Sequence, residues 1–273
     1  MPHFSFWTWQ LPFVGSVERG AAAIDAIEDS YSSFAEKIPK AIWRGTTWFN
    51  SVHNPRLRAN LLATAKGKDW ADVQALEWRG KNNATNALAI EDFCRYKYVL
   101  HTEGVTYSGR FQFLQMCASV VITPPIGWMQ HTTHLVKPLF SSSLDFPHQS
   151  SHAKPVGGSA DTARQRWTPS ERLQKTWPIQ YRPEEANIVF VAPDWSDLEE
   201  TILWLEAHPK VAEGIAMRQR EQFVGGGYFS PAAETCYWRA LVRGWSKVVQ
   251  IDPKDWKDFE AVSYELFSLR NGE

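Results

Sequence analysis

Two periodicities alternate along this chain. Short, largely apolar runs occur at Ala41-Ile42-Trp43, Tyr98-Val99-Leu100, Ser119-Val120-Val121-Ile122 and residues 188–192 (IVFVA). Runs of this length, rich in β-branched residues, suit strands buried on both faces. Residues 72–76 read as one more short strand. Between the runs, apolar residues recur at helical spacing. Such stretches cover residues 21–36, 56–65 and 87–96, then the segment through Phe111, Leu114 and Ala118. Further along, Ser196-Asp197-Leu198-Glu199 has the form of a capping box and opens a helix with Leu198, Ile202 and Leu205 on one face. Pro209 breaks that helix, and another spans about residues 211–223. Ser230-Pro231 supplies an N-cap and a first-turn proline for a long helix striped by Tyr237, Leu241, Trp245 and Val248. A last helix is expected over Phe259, Val262 and Leu266. Strands alternating with helices predict an α/β fold, a Rossmann-like parallel sheet covered on both faces.

Residues 97–122 carry the chemistry. A strand runs into a loop with Glu103, Gly104, Tyr107, Ser108 and Arg110, then a helix, then a second strand, forming one right-handed βαβ unit. Folds of this class bind ligands where a strand's C-terminal end gives way to a helix N-terminus. Free backbone N–H groups and the positive helix end suit phosphate there. Arg110 in the first turn opposes that dipole and so points to an anionic partner. The strand at Ala41-Ile42-Trp43 ends on Arg44-Gly45-Thr46-Thr47, a second loop of the same character. Arg44 and Arg110 could share one diphosphate, because a guanidinium fork bonds two phosphate oxygens at once. Glu91, Asp92 and Lys97 read as a solvated face. No GxxxxGK[ST], GxGxxG or GxSxG motif occurs. Gly225-Gly226-Gly227 follows a helix, which makes it a connector or C-cap.

Composition narrows the class. The 273 residues carry a net charge of −1 and are 44% hydrophobic, so the chain is globular and no whole-chain field favours nucleic acid. Fourteen tryptophans serve mainly as packing, with a few free to stack on sugar rings. Three cysteines, Cys94, Cys117 and Cys236, allow at most one internal disulfide. His131 and His134, and likewise His148 and His152, lack a completing carboxylate or Cys, so no metal site is predicted. Asn83-Ala84-Thr85 is an N-glycosylation sequon, meaningful only on the secretory route. The aromatic N-terminus lacks a basic region and is a poor signal peptide, and no stretch is long enough to anchor in a membrane. Residues 141–183, rich in Ser, Pro, Gly and His, are expected to form a long, partly disordered surface excursion.

Four blocks, IPKAIWRGTT, EDFCRYKYVLHTEGVTYSGRFQFLQMCASVVI, HLVKP and ETCYWRALVRGWSKVV, together resemble glycosyltransferase family 90. That family includes the fungal capsule-associated proteins and the Rumi-type protein O-glucosyltransferases. The resemblance implies a GT-B architecture and an inverting, metal-independent transfer of glucose or xylose from UDP-glucose or UDP-xylose to a hydroxyl of a glycan or protein acceptor. It places the chain in the Golgi or ER lumen, with a UDP-sugar as donor substrate and no cofactor. It implies that Arg44 and Arg110 face the UDP phosphates, with Thr46 and Ser108 as hydroxyl neighbours, and the expected donor site as a whole is Arg44, Gly45 and Thr46 with Glu103, Gly104, Tyr107, Ser108 and Arg110. The expected division is residues 1–36 as a remnant of the acceptor-side lobe, 37–250 as the UDP-sugar lobe, and 251–273 packing back. Family members carry a carboxylate general base in the acceptor lobe, and no residue of this chain matches it. The alternative reading is a truncated, non-catalytic nucleotide-sugar-binding protein.

Overall fold

The computed structural model describes residues 9, 11–80, 83–146, 167–250, 252 and 254. In chain order the elements are α1 (Val17–Glu28), β1 (Ile38–Gly45), α2 (Leu57–Ala65), β2 (Ala71–Ala75), β3 (Tyr96–Leu100), α3 (Phe111–Leu114), β4 (Val120–Thr123), β5 (Pro138–Phe140), α4 (Glu171–Thr176), β6 (Ile188–Phe190), α5 (Leu198–Ala207), α6 (Pro209–Arg220) and α7 (Pro231–Val248). A 3₁₀ segment, Ile90–Arg95, leads into β3. The six strands form one sheet in the order β2-β1-β3-β4-β6-β5, every pair parallel. This is the Rossmann-like α/β arrangement that the alternating pattern predicts.

Both faces are covered, which explains the unbroken apolar runs. With side chains alternating along each strand, Ile42, Val99, Val121, Ile188 and Phe190 meet one layer containing Ile24 and Ile27 of α1 and Phe111, Phe113 and Leu114 of α3. Trp43, Tyr98, Leu100, Val120, Ile122 and Val189 meet the other, with Leu57 and Leu61 of α2, Leu198, Ile202 and Leu205 of α5, and Ile215 of α6. Each such aliphatic or aromatic side chain contributes about 1.5–3 kcal/mol by leaving water. Below the sheet a buried ion pair joins Lys37 to Glu28, and Lys37 Nζ also donates to the Cys94 carbonyl at 2.6 Å. Cys94 and Cys117 are joined in a disulfide with Cα atoms 4.9 Å apart, inside the ordinary range. The sequence allowed one bridge and left the pairing open.

Several expected elements differ in extent. The helix expected over 21–36 starts earlier, because the Ser16 hydroxyl caps the Arg19 N–H, and stops at Glu28 before a 3₁₀ turn at Phe34–Glu36. The helix expected over 87–96 is the 3₁₀ segment alone. The capping box at residues 196–199 does not form. Asp197 is the N-cap, but its carboxylate accepts the Ala192 N–H and the Ser141 hydroxyl instead of capping. Glu199 leaves the helix end to meet Lys68 and the Trp70 indole. The glycine run after α6 does close a helix: Gly227, at φ +70°, donates to the Val224 carbonyl. The expected helix over Phe259, Val262 and Leu266, and His148 and His152, lie outside the described residues. So do residues 147–166 of the predicted surface excursion, within which α4 and a 3₁₀ turn at Ser141–Ser143 are described.

The chain divides into two compact units, Met1–Ala233 and Glu234–Glu273. The sheet, with α1 to α6, belongs to the first. In the second, α7 is amphipathic and buries no residue, leaving Val242, Trp245 and Val248 exposed. No described helix is long and apolar enough to cross a membrane.

Candidate functional site

The connection from β1 runs outward to β2, and the one from β3 runs the opposite way to β4. This reversal makes the C-terminal ends of β1 and β3 the switch point of the sheet, where such folds leave a crevice for ligands. The loops that meet there are those following Gly45, Leu100 and Thr123, and the residues they bring together are Thr46, Arg58, Glu103 and Arg110.

Arg58, in the first turn of α2, points back under the β1 loop. Its Nη1 donates to the Thr46 carbonyl at 2.8 Å and to the Thr46 hydroxyl at 3.2 Å, and Nη2 reaches the Glu103 carbonyl at 3.1 Å. Its guanidinium lies 5.9 Å over the Trp43 ring, and its Nε is buried with no hydrogen-bond partner. Arg110 donates from Nη1 to the Arg44 carbonyl and lies 5.8 Å over the Phe93 ring. Burial pulls both guanidinium pKa values down to about 10, and for Arg58 the charge of Arg110 adds to the effect. Among the described residues neither forms an ion pair with a carboxylate. His101, buried beside them and 4.4 Å from the Phe111 ring, is driven down to about 3 by burial and by both arginines. It is therefore neutral at physiological pH and adds no charge.

Arg44 is a different case. Its Nε bonds the Asn86 carbonyl, Nη1 the Trp43 and Asp72 carbonyls, and Nη2 the Asp72 carboxylate at 2.7 Å. Burial would raise the Asp72 pKa, but bonds from the Tyr96 hydroxyl and Arg44 outweigh it and hold that carboxylate below its ordinary value. Four of the five N–H groups of Arg44 are thus spent within the protein. Arg44 and Arg110 do line one cavity, but at about 10 Å³ it has room for roughly one water and none for a diphosphate. In this arrangement Arg44 is committed to Asp72 and keeps one N–H group unspent. Arg58, which the sequence did not single out, is buried near enough to Arg110 to feel its charge. The available signal was its position in the first turn of the helix after β1.

Other expected site residues have local explanations. Gly45 is required by packing, since a Cβ there would lie 2.5 Å from the Trp43 ring. That ring is held in place by its bond to the Thr102 hydroxyl. Gly104 approaches the Arg58 guanidinium, a Cβ there lying 3.9 Å from Nη2. Tyr107 is exposed at the rim, and the Ser108 carbonyl accepts the Phe111 N–H. The helix after Arg110 is one turn of four residues, with its first N–H groups bonded to Ser108 and Arg110. The predicted helix dipole therefore falls away, because only 19 residues separate the Leu100 end of β3 from Val120 and the Cys94–Cys117 bridge confines them. Charge at this point comes from the guanidiniums. Glu103 faces the other way: its Oε1 accepts the N–H groups of Gly127 at 3.1 Å and Trp128 at 2.8 Å. Burial raises its pKa to about 6 despite those two bonds. The only group of three potential metal ligands among the described residues is Glu28, Cys94 and Cys117, whose two sulfurs are already bonded to each other.

Residues 1–141 match the model of glycosyl transferase family 90. The chain is 22% identical over 258 residues to an O-glucosyltransferase rumi homolog of Anopheles gambiae, covering 91% of this chain and 52% of that protein. It is 23% identical over 267 residues to Protein O-glucosyltransferase 1 of Rattus norvegicus (94% and 56%) and 21% identical over 270 residues to that of Homo sapiens (96% and 57%). The chain spans about half the length of the curated relatives it matches.

Proposed function

The chain belongs to glycosyl transferase family 90, and on that premise we propose that it binds the diphosphate of a UDP-sugar at the β1/β3 switch point, through Arg58 and Arg110. The observation that carries this reading is that two neighbouring, largely buried guanidiniums meet at a strand-end crevice with no carboxylate partner among the described residues. Burying a charge without a counter-ion is costly, and an anionic ligand removes that cost. The reaction is transfer of glucose or xylose to a hydroxyl of a protein or glycan acceptor in the ER or Golgi lumen, and the relatives' names favour glucose. The acceptor oxygen bonds to C1 of the sugar on the face opposite the diphosphate, the C1–O bond to phosphate breaks, and UDP departs with the electron pair. A base takes the hydroxyl proton. The guanidiniums meet the charge that builds on the leaving phosphate, the work a divalent metal does in other transferases, so the transfer proceeds without one. A GT-B arrangement supplies the acceptor side.

Calorimetry with UDP tests the donor site. Binding of UDP that Arg110→Ala weakens at least tenfold, with uridine alone binding poorly, supports it. Absence of UDP binding by the folded chain overturns it. Release of UDP from UDP-glucose or UDP-xylose in the presence of an acceptor then separates transfer from binding.

A further inference from the structure

The sequence contains one N-glycosylation sequon, Asn83-Ala84-Thr85, and the donor site makes no use of it. The structure puts it on the surface after β2. Trp78 and Ala84 pair in an antiparallel bridge, the Arg79 N–H donates to the Asn83 carbonyl at 2.7 Å, and the Thr85 N–H donates to the Glu77 carbonyl at 3.0 Å. Asn83 and Thr85 are both exposed while Ala84 between them is buried. The middle residue thus anchors the segment, and the two that matter chemically face water. The carboxamide of Asn83 makes no hydrogen bond among the described residues, so a substituent on Nδ2 displaces nothing. The Thr85 hydroxyl holds only the exposed Glu77 carboxylate, at 3.1 Å.

A second, independent observation concerns the compartment. Disulfides form and persist in oxidising surroundings. The Cys94–Cys117 bridge is buried under α1, with both sulfurs fully shielded from solvent, which makes it a structural bridge and places folding on the secretory route, where sequons are read. We propose that Asn83 is a site of N-linked glycosylation. The co-reactant is a lipid-diphosphate-linked oligosaccharide: Asn83 Nδ2 bonds to its C1, the C1–O bond to diphosphate breaks, the lipid diphosphate leaves with the electron pair, and the nitrogen gives up one proton. The modification precedes folding, and the fold accommodates it because the Asn83 side chain stays in water.

Protein isolated from its native cells tests this by mobility and peptide mass before and after peptide-N-glycosidase, with free thiols counted in the same sample. The expected result is one glycan per chain, at Asn83, with one free thiol, that of Cys236. Expressed in the same cells, Asn83→Gln and Thr85→Ala each abolish the glycosidase-dependent shift, and Thr85→Ser keeps it. An unmodified Asn83 in chains that carry the Cys94–Cys117 bridge overturns the proposal. So do three free thiols in the native protein, because the compartment argument then fails.

Discussion

Two arginine environments near the C-terminal ends of the adjacent strands β1 and β3 could hardly be more different in what they leave available. Arg44 is nearly saturated: three backbone carbonyls and the Asp72 carboxylate take four of its five N–H groups, and Tyr96 and Gln74 complete the shell around that carboxylate. It ties β1 to β2 and, through Tyr96, to β3. Arg58 and Arg110 hold neutral carbonyls and a hydroxyl, lie over aromatic rings, and meet no negative charge among the described residues. An arginine's role therefore depends on whether its charge is already answered, and a strand-end position does not decide that.

Arg44→Ala leaves the partly buried Asp72 carboxylate without its counter-ion, and is expected to cost about 1.5–3 kcal/mol of stability by denaturant titration. A double-mutant cycle with Asp72→Ala should recover part of that loss. A stable Arg44→Ala protein with weakened UDP binding would reverse the roles of Arg44 and Arg110. Arg110→Ala should do the opposite. UDP affinity falls about 10- to 100-fold in calorimetry, consistent with the loss of about 1.5–3 kcal/mol from one charged hydrogen-bonding partner, while stability changes by about 1 kcal/mol or less.

Two smaller effects depend on pH. Glu103 has a folded-state pKa of about 6 against an ordinary 4.5, so its ionised form is disfavoured by folding. Glu103→Gln is then expected to stabilise the protein at pH 7.5 by at most about 2 kcal/mol, with the advantage disappearing as pH falls from 6 to below 4.5. Denaturant midpoints across that range check it, and a constant difference would contradict it. Asp72 has the reverse sign. Its pKa is held below 3.8 in the fold, so its contribution is present above that value and is lost as pH falls through the lowered one. Asp72→Asn should flatten the acid limb of the stability curve while leaving the Glu103 effect in place.

Much of the sheet was legible because buried parallel strands must be apolar on both faces. Tyr98-Val99-Leu100 and residues 188–192 advertise this without any long-range information. The short strand Pro138–Phe140 was not legible, since three residues beginning with proline carry no periodicity. The single turn at Phe111–Leu114 looked like a longer helix because Phe111 through Cys117 are all buried, and burial on every side mimics the spacing of one face.

The sequence by itself determined the α/β class, the strand-end loops at Gly45 and Glu103, and Arg110 as a candidate anion ligand. These follow from local pattern, since apolar runs and loop residues are neighbours along the chain. Only the tertiary structure decided that Arg44 is spent on Asp72, that Arg58 joins Arg110, and that Cys94 pairs with Cys117. Asp72 lies 28 residues from Arg44, and Glu103 lies 45 from Arg58. Contacts over such separations are set by which strands lie side by side, and strand order is a property of the folded sheet that no local pattern encodes.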